Sequence, residues 1–226
     1  IMVALYESGV PLALAVPALA KEKMKPVPKA SGLAATNDAA LQNAALKGLA
    51  EGNGRFQSKS SKQVAQQEGK EKNQMPKVMV LACSDSRVPP EVVFDQVRGV
   101  LYSNRVLGNV VDEMTVGSLE YGARIMRIPV LVVLGHSNCS AVKMAIEETE
   151  NPTKDLFLNM EALMTKLKES VVQAKGIIKE RGMKPESLMD EAVKENVRNT
   201  IRRILELSPA MWQLQHQGKL KIVGAV

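Results

Sequence analysis

Val78-Met79-Val80-Leu81-Ala82-Cys83-Ser84-Asp85-Ser86-Arg87 decides the fold of this chain. An unbroken apolar run over residues 78–83, two positions after Pro76, stops abruptly at a polar stretch. A run without polar alternation marks a strand buried on both faces, the pattern of a parallel sheet. Val130-Leu131-Val132-Val133-Leu134-Gly135 repeats the pattern directly after Pro129 and ends in His136-Ser137-Asn138-Cys139. Weaker strands are expected over residues 100–105 and 220–226. Helical periods fall between and after these runs, over residues 116–126, 140–150, 156–174 and 186–207. In the third of these, Met160, Leu163, Met164, Leu167 and Val171 share one face. Alternating strands and helices predict an α/β fold, a mostly parallel β-sheet core flanked by α-helices with crossover connections.

Upstream, the texture changes twice. Residues 10–20 are rich in Ala, Leu and Val and end in Ala18-Leu19-Ala20, just before Lys21-Glu22-Lys23. That is the hydrophobic segment and small-residue cleavage pattern of a secretory signal peptide. Residues 1–20 are therefore read as signal-peptide-like, truncated because the chain begins at Ile1, and periplasmic or other export is expected, with the cytoplasm as the alternative. Residues 21–36, carrying Pro26, Pro28 and Gly32, read as a linker, and residues 37–226 as the one folded domain. At its start, Leu41, Ala45 and Leu49 share a helical face, with Asp38 as cap and Gly52 and Gly54 as the stop. That apolar face is expected to pack on a partner subunit. Residues 58–74 are polar and read as a second surface helix or a loop.

Composition removes several function classes. The chain has 226 residues, 30 basic and 24 acidic, a formal charge of +6 with no basic block, so its charge reads as a solvated surface. Aromatics at 3% argue against base stacking, and no nucleic-acid partner is expected. No apolar run approaches the ~20 residues of a membrane-spanning helix. Two cysteines cannot make a disulfide framework.

What the two cysteines do is the chemical question. Cys83 ends the first buried strand, and His136 and Cys139 follow the second. Ligands of open parallel sheets bind beyond the carboxyl ends of the strands, so neighbouring strands would bring all three side chains to one edge. Two thiolates and an imidazole make a zinc set that leaves a fourth position open, as catalytic zinc requires. The competing reading is a pair of inert buried cysteines. Asp85 and Arg87 place a carboxylate and a guanidinium on the same loop. They are either a weak surface ion pair or a gate, the carboxylate taking the fourth zinc position or turning to orient a zinc-bound water.

At these residues the chain resembles the β-class carbonic anhydrases. Cys83 to Arg87 matches the family's first motif whole, and Gly135-His136-Ser137-Asn138-Cys139 its second. Similarity continues through residues 46–56, Gly117-Ser118-Leu119-Glu120-Tyr121 and residues 218–225, covering about residues 38 to 226. The resemblance implies one Zn²⁺ per chain on Cys83, His136 and Cys139, with water, hydroxide or Asp85 as fourth ligand. It implies reversible hydration of CO₂ to bicarbonate and a proton by zinc-bound hydroxide, in a homodimer or tetramer. Gln74, Tyr102, Leu107 and Tyr121 match positions lining the substrate pocket, partly from a neighbouring subunit. Ser140 stands where a Gly is usual, its amide still facing substrate, and Leu107 is larger than the usual residue. The family usually continues beyond Val226 into an edge strand, so a fragment is expected. Two alternatives stay open: hydrolysis of CS₂ or COS on the same scaffold, and a non-catalytic zinc protein closed by Asp85. His216, near Trp212, is expected to be a surface histidine.

Overall fold

The computed structural model describes residues 5–7, 38–60, 75–152 and 156–226. The signal-peptide-like segment apart from residues 5–7, the linker and Gln74 lie outside the described residues.

Five strands form one sheet in the order β1-β5-β4-β2-β3. They are β1 (Leu5–Glu7), β2 (Val78–Ala82), β3 (Leu101–Arg105), β4 (Val130–Leu134) and β5 (Lys221–Ala225). The last four are mutually parallel, and β1 adds antiparallel to β5. The expected parallel core is therefore present. All residues of β2 and β4 are buried, because helices cover both faces of the sheet.

Alternate residues of the central strands feed two cores, as the two-residue period of a strand requires. Met79, Leu81, Leu131, Val133 and Ile222 point toward α3 (Glu113–Glu120), α6 (Leu188–Leu207) and α7 (Pro209–His216), where they meet Leu119, Val197, Ile204 and Met211. Val78, Val80, Ala82, Val130 and Val132 point the other way, to Leu49 of α1 (Asp38–Gln57) and Val93 and Phe94 around α2 (Pro90–Val93). A third cluster caps the C-terminal edge of the sheet. Here α4 (Ser140–Glu150) and α5 (Leu158–Arg181) bring Val142, Ala145, Met164, Leu167 and Val171 against Cys83 and Cys139.

Three helices differ from their expected extents. The segment expected as one helix over 116–126 is α3 followed by a π-type turn, Tyr121–Ile125, closed by the Met126 amide on the Tyr121 carbonyl. The helix α5 runs on to Arg181, where Gly182 ends it in the left-handed conformation. The third, α1, continues through Gly52 and Gly54 to Gln57, with half-buried Phe56 inside it. Gly52 is a contact point and not a stop: a Cβ there would lie 1.8 Å from the Phe94 carbonyl oxygen. Asn53 Nδ2 donates to the Val93 carbonyl (2.9 Å) and Arg55 pairs with Asp95 (2.5 Å), fixing the helix on the loop after α2. Leu49 is buried on the chain's own sheet, while Leu41 is 45% exposed.

Gly52→Ala should therefore destabilise the fold by about 3 kcal/mol, since the helix must lift from Phe94. Gly48→Ala, where a Cβ meets nothing within 4 Å, should stabilise by up to ~1 kcal/mol through helix propensity. Urea unfolding of the two variants measures both signs, and equal midpoints would contradict this seating of α1.

Candidate metal centre

The parallel pair β2 and β4 builds the centre. Ala82 stands opposite Leu134 in their register, so the next residues of both strands, Cys83 and Gly135-His136, leave the sheet side by side. Cys139 then sits at the N-cap of α4, a turn beyond His136. The cysteine sulfurs and an imidazole nitrogen all lie within 4.8 Å of one another, and all three residues are buried. Among the described residues this is the one such group of potential metal ligands.

The donor atoms fit a dication. Cys83 Sγ and Cys139 Sγ are 4.0 Å apart, about twice a disulfide length, and both cysteines are free. His136 Nδ1 lies 3.0 Å from the Ser137 carbonyl, a contact that places its proton on Nδ1. Nε2 is left buried, with a lone pair and no hydrogen-bond partner. An orphaned ring nitrogen facing two sulfurs is costly unless an ion fills the gap.

Electrostatics without an ion make the same point. The neighbouring Cys139 thiol pulls Cys83 well below the ordinary thiol range, against burial, helped by His136 and by the Asp85 and Gly108 amides. Cys139 is pushed the opposite way, first by Cys83 and then by burial, although the amides of Val142 and Ala141 at the start of α4 oppose this. A metal bound by both sulfurs must displace whatever thiol proton the pair retains. Burial pulls the His136 imidazole down, but the Cys83 sulfur and the Ser137 carbonyl outweigh it and the net direction is up.

Beside the cluster, Arg87 grips Asp85 with a two-pronged fork. Nε donates to Oδ1 (2.9 Å), Nη2 to Oδ2 (2.6 Å), and the Arg87 amide to Oδ1 (2.9 Å). Nη2 also reaches the Asn138 carbonyl (3.1 Å), tying the first motif to the second. The fork holds the Asp85 carboxyl well below the usual carboxylate range and raises Arg87. Asp85 Oδ2 still lies 3.9 Å from His136 Nε2, at the edge of the metal cluster.

A cavity of about 430 Å³ opens onto these groups, lined by Cys83, Ser84, Asp85, Ser86, Arg87, Leu107, Asn138, Ser140 and Ala141. Leu107 and Ser140 are thus brought to the site. Within one chain Tyr102 and Tyr121 are not: Tyr102 Oη sits 3.1 Å from Ser118 Oγ near the start of β3, and Tyr121 is half exposed on the π-type turn. A second groove of similar volume, under α1 at the opposite end of the strands, is lined mainly by apolar residues such as Leu41, Met75 and Pro129 and holds no metal-ligating side chain. His216 is exposed and stacks on Trp212 at 3.6 Å, on α7. Among the described residues no helix is long and apolar enough to cross a membrane.

Sequence reasoning missed Arg105 and the Gly108 amide. Arg105 donates from Nε to the Cys83 carbonyl (2.9 Å) and from Nη2 to the Asp85 carbonyl, holding the backbone of the first motif. The Gly108 amide donates to Cys83 Sγ (3.2 Å). The signal for both was the β2–β3 register, which sets Arg105 opposite Ala82.

A three-donor centre at the carboxyl edge of a parallel sheet, flanked by a carboxylate–guanidinium pair, has the donor set and the position of a metal site in an α/β enzyme. The carbonic anhydrase family profile matches residues 78–226. Carbonic anhydrase 2 of Mycobacterium tuberculosis is 31% identical over 185 residues, spanning 80% of this chain and 86% of its own length. The carbonic anhydrase of Mycolicibacterium smegmatis is 31% identical over 188 residues with the same shares. Among solved structures, a β-carbonic anhydrase of Coccomyxa in complex with acetazolamide superposes with a TM-score of 0.55 at 22% identity, covering 81% of this chain and 77% of that one. A tetrameric β-carbonic anhydrase of Sordaria macrospora gives 0.55 at 20% identity, covering 82% and 88%. The chain belongs to the β-class carbonic anhydrases.

Loading the centre should release protons, because thiol protons, and the extra proton of His136 wherever it is charged, must leave before the ligands can bind. Titration calorimetry with Zn²⁺ in two buffers of different ionisation enthalpy should return one metal per chain and at least one proton per metal at pH 7. Affinity should rise with pH. Cys139→Ser should weaken binding by at least ~100-fold, and unchanged affinity in that variant would remove Cys139 from the centre.

Proposed function

We propose that this carbonic anhydrase hydrates CO₂ reversibly to bicarbonate and a proton at the centre formed by Cys83, His136 and Cys139, with one zinc ion per chain. The observation that carries the reading is the trio of donor atoms within 4.8 Å, at the cavity where Asp85 is gripped by Arg87. Zinc supplies a hydroxide nucleophile near neutral pH by acidifying water, though two thiolate ligands make that effect smaller than three imidazoles would.

The chain's own groups do the rest. Asp85, held by the fork, accepts a hydrogen bond from the attacking water and turns its lone pair toward the carbon of CO₂. Arg87 keeps the carboxylate from becoming a fourth metal ligand, so the pair acts as the gate of the site. Leu107 gives the cavity an apolar wall for CO₂, and the Ser140 amide, at the N-terminus of α4, faces bicarbonate oxygen. Gln74, Tyr102 and Tyr121 complete the substrate pocket in an assembled dimer or tetramer. Support for assembly comes from Leu41, Tyr121 and Ile125, which are exposed on a single chain. Light scattering should give a mass of two or four chains. Export is the reading of residues 10–20, and fractionation of cells making the full chain tests it.

The gate has a pH signature. Asp85 is depressed by its partner and Arg87 is raised, so both stay ionised from mildly acid to alkaline pH. The stability this pair adds is present above the ordinary carboxylate pKa and is lost only as pH falls through the depressed value. This pair therefore contributes no inflection to CO₂ hydration between pH 6 and 9. In stopped-flow assays Arg87→Ala should keep its zinc and lose about 10- to 100-fold in kcat/KM. Turnover of CS₂ with none of CO₂ would move the chain to the alternative hydrolase. A zinc-loaded protein inactive on both from pH 6 to 9 would make it a permanently closed centre.

A further inference from the structure

A buried amide on α6 grips the turn that touches the first of the metal ligands. Asn196, on α6, is 2% exposed, and its Nδ2 donates to the Gly108 carbonyl at 2.7 Å. The next turn of the same helix face repeats the clamp, Thr200 Oγ1 donating to the Asn109 carbonyl at 3.2 Å. Between them they hold a turn whose two residues are both left-handed, Gly108 at φ +67° and Asn109 at φ +47°. Glycine reaches that conformation freely and asparagine more readily than other side chains, so these residues allow the turn and the two bonds from α6 hold it in place. Its consequence is an inward-pointing Gly108 amide, 3.2 Å from Cys83 Sγ. The same helix packs Val193 and Val197 against Gly135, where a Cβ would lie 2.8 Å from Val197, so α6 also fixes the residue before His136.

From this chain of contacts we infer that Asn196 is a positioning residue of the metal centre, acting through the Gly108 amide on the Cys83 sulfur. A hydrogen bond to a thiolate withdraws charge from it and makes it a weaker donor to a metal. With Asn196 in place, the amide is aimed at the sulfur and Cys83 is held in the ligating rotamer. Without its donor, the Gly108 carbonyl is left unpaired in the core and the turn is free to relax away. The inference rests on the reading of Cys83 as a metal ligand.

Cobalt substitution tests it, since thiolate-to-Co²⁺ charge transfer reports directly on the sulfur. Asn196→Leu keeps the volume and removes the donor. Its charge-transfer band should move to longer wavelength as the sulfur regains charge, while its Zn²⁺ affinity, by chelator competition, should fall about 10-fold because loss of the ligating rotamer outweighs the stronger donor. Asn196→Gln, which retains a donor, should restore part of both. Asn199→Leu is the control: Asn199 is another buried amide on α6, but it bonds Ser170 and Gln173 of α5. Its band should stay at the wild-type position. An unmoved band in Asn196→Leu, or an equal shift in Asn199→Leu, overturns the inference while leaving the metal centre intact. A wild-type protein with no thiolate–cobalt band overturns the metal reading and the inference with it. The unsubstituted protein offers an independent readout if Asn196→Leu fails to fold. Loaded with ¹¹³Cd²⁺, it should show scalar coupling between the metal and the Gly108 amide proton across the Cys83 sulfur, and absence of that coupling, beside detectable couplings to the cysteine β-protons, overturns the contact.

Discussion

Everything in this molecule's chemistry depends on the register of two parallel strands. Ala82 opposite Leu134 puts Cys83 and His136 at the same edge, and a slip of one residue would turn each side chain to the other face of the sheet. The register is fixed because both faces are buried: Met79, Leu81, Leu131 and Val133 fill one core while Val78, Val80, Val130 and Val132 fill the other. No side chain on either strand has a solvent face to rotate into. The hydrophobic core is therefore also what sets the distance between the potential metal donors.

That arrangement carries a cost the fold must offset. Two sulfurs 4.0 Å apart and an unpartnered imidazole nitrogen are unfavourable neighbours in a buried site, and the opposite directions in which the two thiols are driven express the conflict. The surroundings aim positive ends of dipoles at the cluster: the Gly108 amide, the first amides of α4, and beyond them the Arg105 and Arg87 guanidiniums holding the loop. Negative charge on the sulfurs is thus partly compensated before any ion binds. Asp85 is the exception, a carboxylate at the edge of the cluster, and its pairing with Arg87 satisfies both its oxygens.

How much of this was legible in the chain follows from which interactions are local. The buried strands were readable because continuous apolar runs have one good explanation, and the ligands were readable because they stand immediately after those runs. Asp85 and Arg87 are two residues apart, so their pairing needs only a turn. The end of α1 was misread because a glycine's usual meaning in a helix is a stop, whereas Gly52 is there to let the Phe94 carbonyl approach. Arg105 and Asn196 were invisible for the same reason. Each looks like an ordinary polar residue of a strand or helix until the sheet order and the position of α6 bring it against a backbone carbonyl.

The contrast between Asn196 and Asn199 shows why position and not residue type carries the function. Both are buried asparagines on one helix, three residues apart, and both donate hydrogen bonds. Three residues along an α-helix set two side chains about 60° apart around the axis, enough here to send one amide to the Leu107–Asn109 turn and the other to α5. Asn199 meets α5 and joins two helices, which is a contribution to packing alone. Asn196 meets the Leu107–Asn109 turn, whose amide ends on the Cys83 sulfur. Gly108 and Asn109 allow that left-handed turn, and the two bonds from α6 hold it against Cys83. A helix that never touches the cavity thereby shares control of the site with the strands that end in it.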